Sequence, residues 1–449
     1  MAKLSIPAVV WALACVTSLM AATPEARMSF LDNGVIRIGV NLNAGGAITY
    51  LSLSGSQTNL VNNWDWGRQI QMSHYSGPVP FKPGGKEPAP HWLGLGWNPV
   101  QAGDHFRNAS RILAHENDGK TLYIKCVPMQ YALDNVPAEC TFECWISLEG
   151  SSAQVRSRMV VDRPDRTQYP ARDQELPAVY TIGTLYRLMT YSGDKPFTNG
   201  PLSRIEKSEE EKKRGGWPWV RYRATENWAA LVDDSGFGVG LWKPDCYSFV
   251  GGFAGQPGRG GTYDDPTGYL SPMLVEIIDH NISYEYRYEL IVGSLEQIRK
   301  HVYDRAPRPA PPTYRFEKDR QHWFYRHAAD TGWPIRGELN VLLHDDDPQI
   351  IGPAAFWLAT DAPKLRIEAA FKTAEQHARV WWKRFDDDRF TETRSRSFRI
   401  EPDGNYRVYE VDLAESPEYR DVITGLRLDP GERGGEGRWV KIRSIILGK

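Results

Sequence analysis

The segment Tyr284-Glu-Tyr-Arg-Tyr-Glu-Leu-Ile-Val292 decides how most of the chain is interpreted. Up to Leu290, apolar or aromatic residues alternate strictly with charged ones, which is the period of a β-strand with one buried face. Similar segments separated by turn residues precede it, at 34–40, 47–53, 121–127, 138–148, 153–161, 228–232 and 238–242. No helical periodicity separates these segments, so the pattern predicts an all-β sandwich.

The length of 449 residues predicts two domains. The first is expected to span 27–305 and to end in a short helix over 295–303. A proline-rich segment, 306–313, follows as a semi-rigid linker. The second domain, 314–449, carries further strand patterns at 356–360, 365–369, 378–382, 406–413, 423–429 and 440–447.

The amino terminus predicts export from the cytoplasm. Lys3, the apolar run 6–20 and the pair Ala21-Ala22 have the order of a secretory signal peptide over residues 1–22. We therefore expect a secreted or periplasmic protein without membrane insertion. The 54 Lys and Arg nearly balance the 56 Asp and Glu, and no basic stripe stands out, which argues against nucleic acid as a partner.

Four cysteines follow the signal peptide, and an exported chain permits disulfides. Cys126 and Cys140 flank the turn of a predicted hairpin, so they could face each other across it. Alternatively, all four cysteines, including Cys144 and Cys246, are buried thiols. No C-x-x-C spacing supports zinc, and no cofactor is expected. The acidic segments 344–348 and 386–388 are either solvated turns or structural calcium sites.

Residues 62–104 combine aromatic, amide and charged side chains with turn-forming Gly and Pro. Flat rings can stack on the apolar faces of sugars, and planar polar groups can bind the hydroxyls. The segment therefore predicts a carbohydrate site on loops, although the same Trp residues would also suit structural loops pinned to a sandwich. The expected binding residues, with two from later segments, are Asn63, Asp65, Arg68, Tyr75, His91, Trp92, Trp97, Asn98, Tyr180 and Trp219.

Two resemblances extend this reading. The segments Asn43-Ala-Gly-Gly-Ala-Ile-Thr-Tyr-Leu-Ser52 and Asn59-Leu-Val-Asn-Asn-Trp-Asp-Trp-Gly-Arg68 resemble the galactose-mutarotase-like β-supersandwich of aldose epimerases, several polysaccharide lyases and glycoside hydrolase domains. The Asn-His and late-strand Glu pattern of aldose epimerases is absent, which argues against mutarotation.

Farther along, 330–334, 380–383 and 425–430 resemble the jelly-roll, carbohydrate-binding-like modules of secreted glycan-degrading proteins. The resemblances imply a large β-supersandwich followed by a smaller β-sandwich.

Glycoside hydrolysis requires two carboxyl groups beside the scissile bond. Glu175 is favoured as the general acid because it precedes the apolar segment 176–180. Pro177 is expected to place it at a strand entrance, where partial desolvation favours a protonated carboxyl. A guanidinium close by, from Arg172, would have the opposite effect. The other candidates are Asp104, Glu226, Glu276 and Asp279.

Elimination needs a base and a group that neutralises a uronate carboxylate, and His74 beside Tyr75 and Arg68 supplies such groups. We favour hydrolysis and predict a secreted carbohydrate-active protein, either a glycoside hydrolase or a polysaccharide lyase. The alternative is a non-catalytic glycan-binding protein with a Trp-rich cleft. Two carboxyl groups facing one cleft would favour the enzyme.

Overall fold

The computed structural model describes residues 27–449, and the predicted signal peptide lies outside them. The described chain is all-β, as the alternating pattern predicted, and its strands form four antiparallel sheets. Before residue 306 the strands are β1 Met28–Asp32, β2 Ile36–Asn41, β3 Ala47–Leu53, β4 Ile70–Ser73, β5 Pro99–Val100, β6 Arg111–Asn117, β7 Thr121–Val127, β8 Met129–Gln130, β9 Cys140–Glu149, β10 Ser152–Val161, β11 Arg172–Ile182, β12 Arg187–Thr190, β13 Ser203–Ile205, β14 Val220–Arg223, β15 Trp228–Val232, β16 Phe237–Trp242, β17 Ser248–Ala254, β18 Thr267–Glu276 and β19 Ser283–Ser294.

The later strands are shorter on average. They are β20 Thr313–Arg315, β21 Phe324–Arg326, β22 Ala329–Asp330, β23 Leu339–Leu342, β24 Gln349–Ile351, β25 Trp357–Leu358, β26 Lys364–Lys372, β27 His377–Arg384, β28 Ser395–Arg399, β29 Arg407–Asp412, β30 Val422–Asp429 and β31 Trp439–Gly448. The helical segments are α1 Glu209–Arg214 and α2 Leu295–Arg305, with 3-10 turns at Pro83–Gly85, Pro90–Leu95, Ala359–Asp361 and Glu392–Arg394. Each strand predicted from the sequence overlaps one of these.

Two sheets pack face to face in the first part of the chain. The ten-stranded sheet has the order β1-β2-β3-β4-β11-β18-β17-β14, with β5 and β8 beside β4, and the nine-stranded sheet has the order β13-β12-β15-β16-β19-β10-β9-β7-β6. Inward side chains from both sheets share one core. In β19, Tyr284, Tyr286 and Tyr288 are buried while Glu285 and Arg287 are exposed, which confirms the reading of that segment.

Helix α2 covers the outer face of the nine-stranded sheet. Ser294 caps it by accepting a hydrogen bond from the backbone N–H of Gln297. Ile298 and Val302 are buried against Trp228 and other side chains of this face. Helix α1 has the same kind of cap but buries no residue, so it is a short surface helix that does not contribute to a core. Within residues 27–449, no helix has the length and apolar character needed to cross a membrane.

A smaller sandwich follows residue 312. One of its sheets has the order β22-β23-β31-β26-β29, with β20 beside β31, and the other has the order β21-β24-β30-β27-β28, with β25 beside β30. The core between them includes the fully buried side chains of Trp357, Phe371 and Trp382. No sheet formed by residues 27–449 contains strands from both sides of 306–312. The likeness to jelly-roll carbohydrate-binding modules remains a prediction.

A buried ion network joins the two sandwiches. The Arg320 guanidinium lies 2.7 Å from a carboxylate oxygen of Asp279, in the first sandwich, and also binds the Asp330 carboxylate, in the second. Gln168 donates to both carboxylates, at 3.0 and 2.7 Å, and Tyr325 donates to Asp330. Burial alone would raise the pKa of Asp330, but Arg320 outweighs it and lowers that pKa.

The four cysteines are buried free thiols. Cys126 lies opposite Phe142 in the β7–β9 ladder, so the predicted hairpin forms but does not bring Cys126 and Cys140 into register. In the acidic segment 386–388 each carboxylate pairs with a nearby Arg or Lys. Residues 27–449 contain no group of three His, Cys, Asp or Glu side chains suited to a metal ion.

We expect Arg320→Gln to lower the free energy of unfolding by about 3–5 kcal/mol, because it leaves two buried carboxylates without their cation. The measurement is the urea midpoint of the full chain. Arg366→Gln is the matched control, since Arg366 pairs with Glu410 at 3.3 Å with both side chains more than half exposed, and removing that pair should cost less than about 1 kcal/mol. Equal midpoints for both variants would contradict the proposed role of Arg320.

Candidate functional site

A cleft of about 1080 Å³ lies on the outer face of the ten-stranded sheet. Its floor is formed by three neighbouring strands, β4, β11 and β18, and side chains that alternate with the cleft-lining ones point into the core instead. On β18, for example, Tyr269 and Met273 line the cleft, whereas Leu270 and Leu274 are in the core. The cleft therefore lies on the outer face of a sheet whose other face stabilises the fold.

A β-bulge determines which residues of β11 face the cleft. The pairing of β11 with β18 shifts register between Glu175 and Val179, around Pro177. Before this bulge the cleft is lined by odd-numbered residues, Asp173 and Glu175. After it the cleft is lined by even-numbered residues, Ala178 and Tyr180. The extra residue of the bulge therefore lets both ends of the strand line the same cleft. Glu175 pairs with strands on both sides, so the expectation that Pro177 places it at a strand entrance is wrong.

Two tyrosine hydroxyls hold the Glu175 carboxylate on the cleft floor. Tyr75 donates to Glu175 Oε2 at 2.7 Å, and Tyr269 donates to Oε1. Ser73 in turn donates to the Tyr75 hydroxyl at 3.2 Å. Burial, with Glu175 as a second cause, holds the pKa of both tyrosines well above its usual value, so they remain protonated donors.

Aromatic rings form two walls of the cleft. Tyr180 and Trp219 lie against Tyr269, with ring centroids 4.7 and 4.9 Å from it. On the other side, Trp92 stacks on the exposed Trp217 at 6.1 Å, and its ring N–H has no hydrogen-bond partner. These rings offer flat apolar surfaces of the kind that stack on ring-shaped ligands.

Charged groups of the first sandwich occupy the rims. Arg68 pairs with Asp65 at 3.1 Å and with Asp265 at 2.9 Å, and Arg221 pairs with Asp173 at 2.6 Å. These pairs orient Asp65 and Asp173 at the cleft while neutralising part of their charge.

Arg172 is directed away from Glu175. Its guanidinium donates to the backbone carbonyls of Gly94, Leu95 and Ser76, at 3.0, 2.6 and 3.2 Å. The alternative in which Arg172 lies close to Glu175 is therefore not observed, and the carboxylate is bound by the hydroxyl groups of Tyr75 and Tyr269.

The second sandwich supplies part of one wall. Phe324, Tyr325 and Arg326, on β21, line the cleft together with residues of the first sandwich. Tyr325 is fixed by its 3.0 Å hydrogen bond to Asp330, which belongs to the buried network of Arg320. The site thus depends on both halves of the chain.

The structure brings eight of the expected site residues to the cleft: Glu175, Asp65, Arg68, Tyr75, Trp92, Asn98, Tyr180 and Trp219. Asn98 is buried and donates to the His74 backbone carbonyl, so it supports the floor.

Four candidate catalytic carboxylates lie away from the cleft, and one of them, Asp279, belongs to the buried network of Arg320. Asp104 is fully buried and accepts hydrogen bonds from the backbone N–H groups of residues 106, 108 and 135, so it organises a loop. Glu226 is fully buried beneath Arg299 and Tyr303. Glu276 is bound by Tyr284 and His322. These roles are structural ones, because each charge is satisfied within the protein.

The remaining expected residues also differ from the prediction. Trp97 is fully buried in the core and donates to Glu139 at 2.9 Å, so it is not a binding ring. Asn63 donates to the Thr49 carbonyl, and His91 is exposed beside the cleft without lining it.

His74 is enclosed in the core. Its ring contacts Phe142, Tyr284 and Tyr286 edge-on, and Nδ1 lies 3.2 Å from the Gln174 side chain. Burial lowers the pKa of His74 to about 4, so the ring is neutral near pH 7. Because the ring is enclosed in the core, it does not line the cleft.

Sequence reasoning missed several lining residues: Tyr131, Arg172, Asp173, Trp217, Arg221, Tyr269, Phe324, Tyr325 and Arg326. One signal was available for Asp173, which stands two residues before Glu175 and therefore on the same strand face. Tyr269 lies opposite Tyr180 in the β11–β18 ladder, and this register is visible only in the folded chain.

Comparisons with known proteins return structural likenesses only. No protein-family model matches the chain, and neither does any curated protein. A galactose mutarotase related enzyme from Lactobacillus acidophilus is 12% identical, with a TM-score of 0.35, over 60% of this chain and 97% of that one. A galactose mutarotase-like protein from Lactobacillus casei ATCC 334 is 12% identical, with a TM-score of 0.37, over 59% of this chain and 99% of that one.

A 4-alpha-glucanotransferase from Thermococcus litoralis is 13% identical, with a TM-score of 0.33, over 61% of this chain and 38% of that one.

His74 makes stability depend on pH. An unfolded histidine has a pKa near 6.5, so below about pH 6.5 the unfolded chain binds a proton that the native chain takes up only near pH 4. The free energy of unfolding should therefore fall as the pH is lowered, with about 3 kcal/mol attributable to His74 at pH 4. Urea midpoints between pH 4 and 8 should show a smaller pH dependence for His74→Phe, and an unchanged one would contradict burial of a neutral ring.

Proposed function

We propose that the protein is an extracytoplasmic, carbohydrate-active enzyme that hydrolyses glycosidic bonds. The observation that carries this proposal is the Glu175 carboxylate, held by Tyr75 and Tyr269 on the floor of a cleft walled by aromatic rings. A cleft of this size accommodates several sugar units, and its rings suit their apolar faces. The signal peptide expected from the sequence agrees with an extracellular polymer as substrate.

Asp173 and Glu175 form the candidate catalytic pair. Residues two apart on one strand face lie about 7 Å apart at Cα, which suits two carboxyl groups flanking a bond with room for a water molecule. Arg221 lies 2.6 Å from Asp173 and holds that carboxylate at the cleft, where it can act as the general base. No cation contacts Glu175, and its hydroxyl neighbours can either donate to the carboxylate or accept from the protonated acid. Glu175 can therefore give a proton to the leaving oxygen and be reprotonated.

A non-catalytic glycan-binding protein is the second candidate. The ion pairs of Asp65 with Arg68 and of Asp173 with Arg221 favour it, because paired carboxylates also serve to rigidify a binding cleft. A degradation screen over polysaccharides separates the two functions. New reducing ends support hydrolysis, absorbance from unsaturated uronates supports elimination, and binding without products supports the second candidate.

Glu175→Gln should reduce turnover of a glycan found in that screen by about 10²–10⁴-fold, because the variant keeps the side chain's size but cannot donate the proton. Its affinity and melting temperature should stay near wild type. Glu226→Gln is the matched control, since Glu226 is a buried carboxylate outside the cleft, and it should lower the melting temperature while the folded enzyme keeps its turnover number. Full turnover by Glu175→Gln would overturn the assignment.

Two tryptophans five positions apart should behave oppositely. Trp92→Ala removes a cleft ring and should weaken glycan binding by about 1–3 kcal/mol, by analogy with stacking on nucleic-acid bases. Trp97→Ala empties a core position and should cost about 3–5 kcal/mol of folding stability. Binding isotherms and thermal melts of both variants check this, and a binding loss confined to Trp97→Ala would contradict the placement of the cleft.

A further inference from the structure

The cleft contains two guanidinium groups that no carboxylate balances. Four arginines line it, and two of them, Arg68 and Arg221, form ion pairs there. Arg172 and Arg326 form no ion pair with any carboxylate in residues 27–449. A site built only for neutral sugars has no need of unpaired cations, whereas a guanidinium binds a carboxylate or sulfate through two parallel hydrogen bonds.

The Arg172 guanidinium is fixed by hydrogen bonds in a place where it is partly removed from water. Three backbone carbonyls fix its guanidinium at the edge of the 3-10 turn Pro90–Leu95, and the group lies 5.7 Å from the Tyr75 ring. Burial lowers the pKa of Arg172, and the opposing influence of Tyr75 and of the neighbouring Asp173, which forms no ion pair with this guanidinium, does not offset that cost. An anionic ligand would restore that balance.

Arg326 approaches from the second sandwich. It is exposed on β21, directly after Tyr325, whose hydroxyl is fixed to Asp330. Ala171, the residue before Arg172, packs against the core cluster that contains Tyr325. The two unpaired arginines therefore lie on either side of the seam where the sandwiches meet in the cleft.

We propose that this seam is an anion subsite and that the substrate is an acidic glycan, bearing carboxylate or sulfate groups that Arg172 and Arg326 bind. The inference rests on the glycan-binding function proposed above and specifies its substrate class. The neutral sugar units of the glycan would stack on the aromatic walls, and its scissile bond would lie over Glu175. Arg326 then makes the second sandwich a determinant of specificity.

The test uses affinity electrophoresis of the full chain carrying Glu175→Gln, so that turnover does not consume the probe. The probes are uronate-containing and sulfated polysaccharides, each paired with its carboxyl-reduced or desulfated counterpart. We expect at least tenfold tighter binding of one acidic glycan than of its neutralised form, with a preference that weakens as salt is raised. The paired probes show which of the two anions is bound.

Adding Arg326→Gln should remove most of that preference, whereas Arg366→Gln should keep it, because Arg366 is not among the cleft-lining residues. Arg172→Lys should also reduce the preference. Because Arg172 holds the backbone of Gly94 and Leu95, this variant can also disturb that segment, and Arg326→Gln then provides the independent test. Equal binding of acidic and neutralised glycans, or a preference that survives Arg326→Gln, overturns the anion subsite alone. Failure of every acidic and neutral glycan to bind overturns the proposed function as well.

Discussion

The buried guanidinium of Arg320 is the interaction on which the arrangement of the two sandwiches depends. It binds one carboxylate from each sandwich, Asp279 and Asp330, and all three side chains are buried, so its removal would leave two buried carboxylates without a cation. Gln168 and Tyr325 satisfy the remaining carboxylate oxygens, so the network has a single geometry. Apolar packing alone tolerates sliding, whereas this set of hydrogen bonds fixes β21 relative to the floor of the cleft.

The floor itself depends on one irregularity in β11. A regular strand would send every second side chain to the core, and the residues that follow Glu175 on the cleft face would then be odd-numbered. The bulge around Pro177 reverses that parity, so that Tyr180 faces the cleft while Val179 stays in the core. As a result, one strand contributes a carboxylate at one end and an aromatic wall at the other. The proposed chemistry is thus a consequence of the place where the ladder breaks.

The alternating pattern predicted many of the strands, because side-chain parity is a local property that the sequence displays directly, but it did not predict β4 in the cleft floor. The all-β class and the hairpin of β7 and β9 followed from it, and the short helix predicted separately over 295–303 is α2. Trp97 and His74 were expected in the site because 62–104 was interpreted as exposed loops, but both are buried, and burial of a residue outside the strands leaves no periodic signal in the sequence. Asp104 and Glu226 show the same limit, because a carboxylate bound by backbone N–H groups or by a distant arginine has no signature in its neighbours along the chain.

The residues that complete the cleft come from positions far apart in sequence. Tyr75, Glu175 and Tyr269 meet because β4, β11 and β18 are adjacent in the sheet, and Arg326 joins them only through the docking of a second sandwich. A carbohydrate-binding module attached to an independent catalytic domain would leave that domain's site complete without it. Here the second sandwich supplies a wall, and the same ion network that holds it in place anchors the strand that carries Arg326. The cleft therefore forms only when the two sandwiches are docked. Tyr325 belongs both to the ion network that joins the sandwiches and to the wall of the cleft.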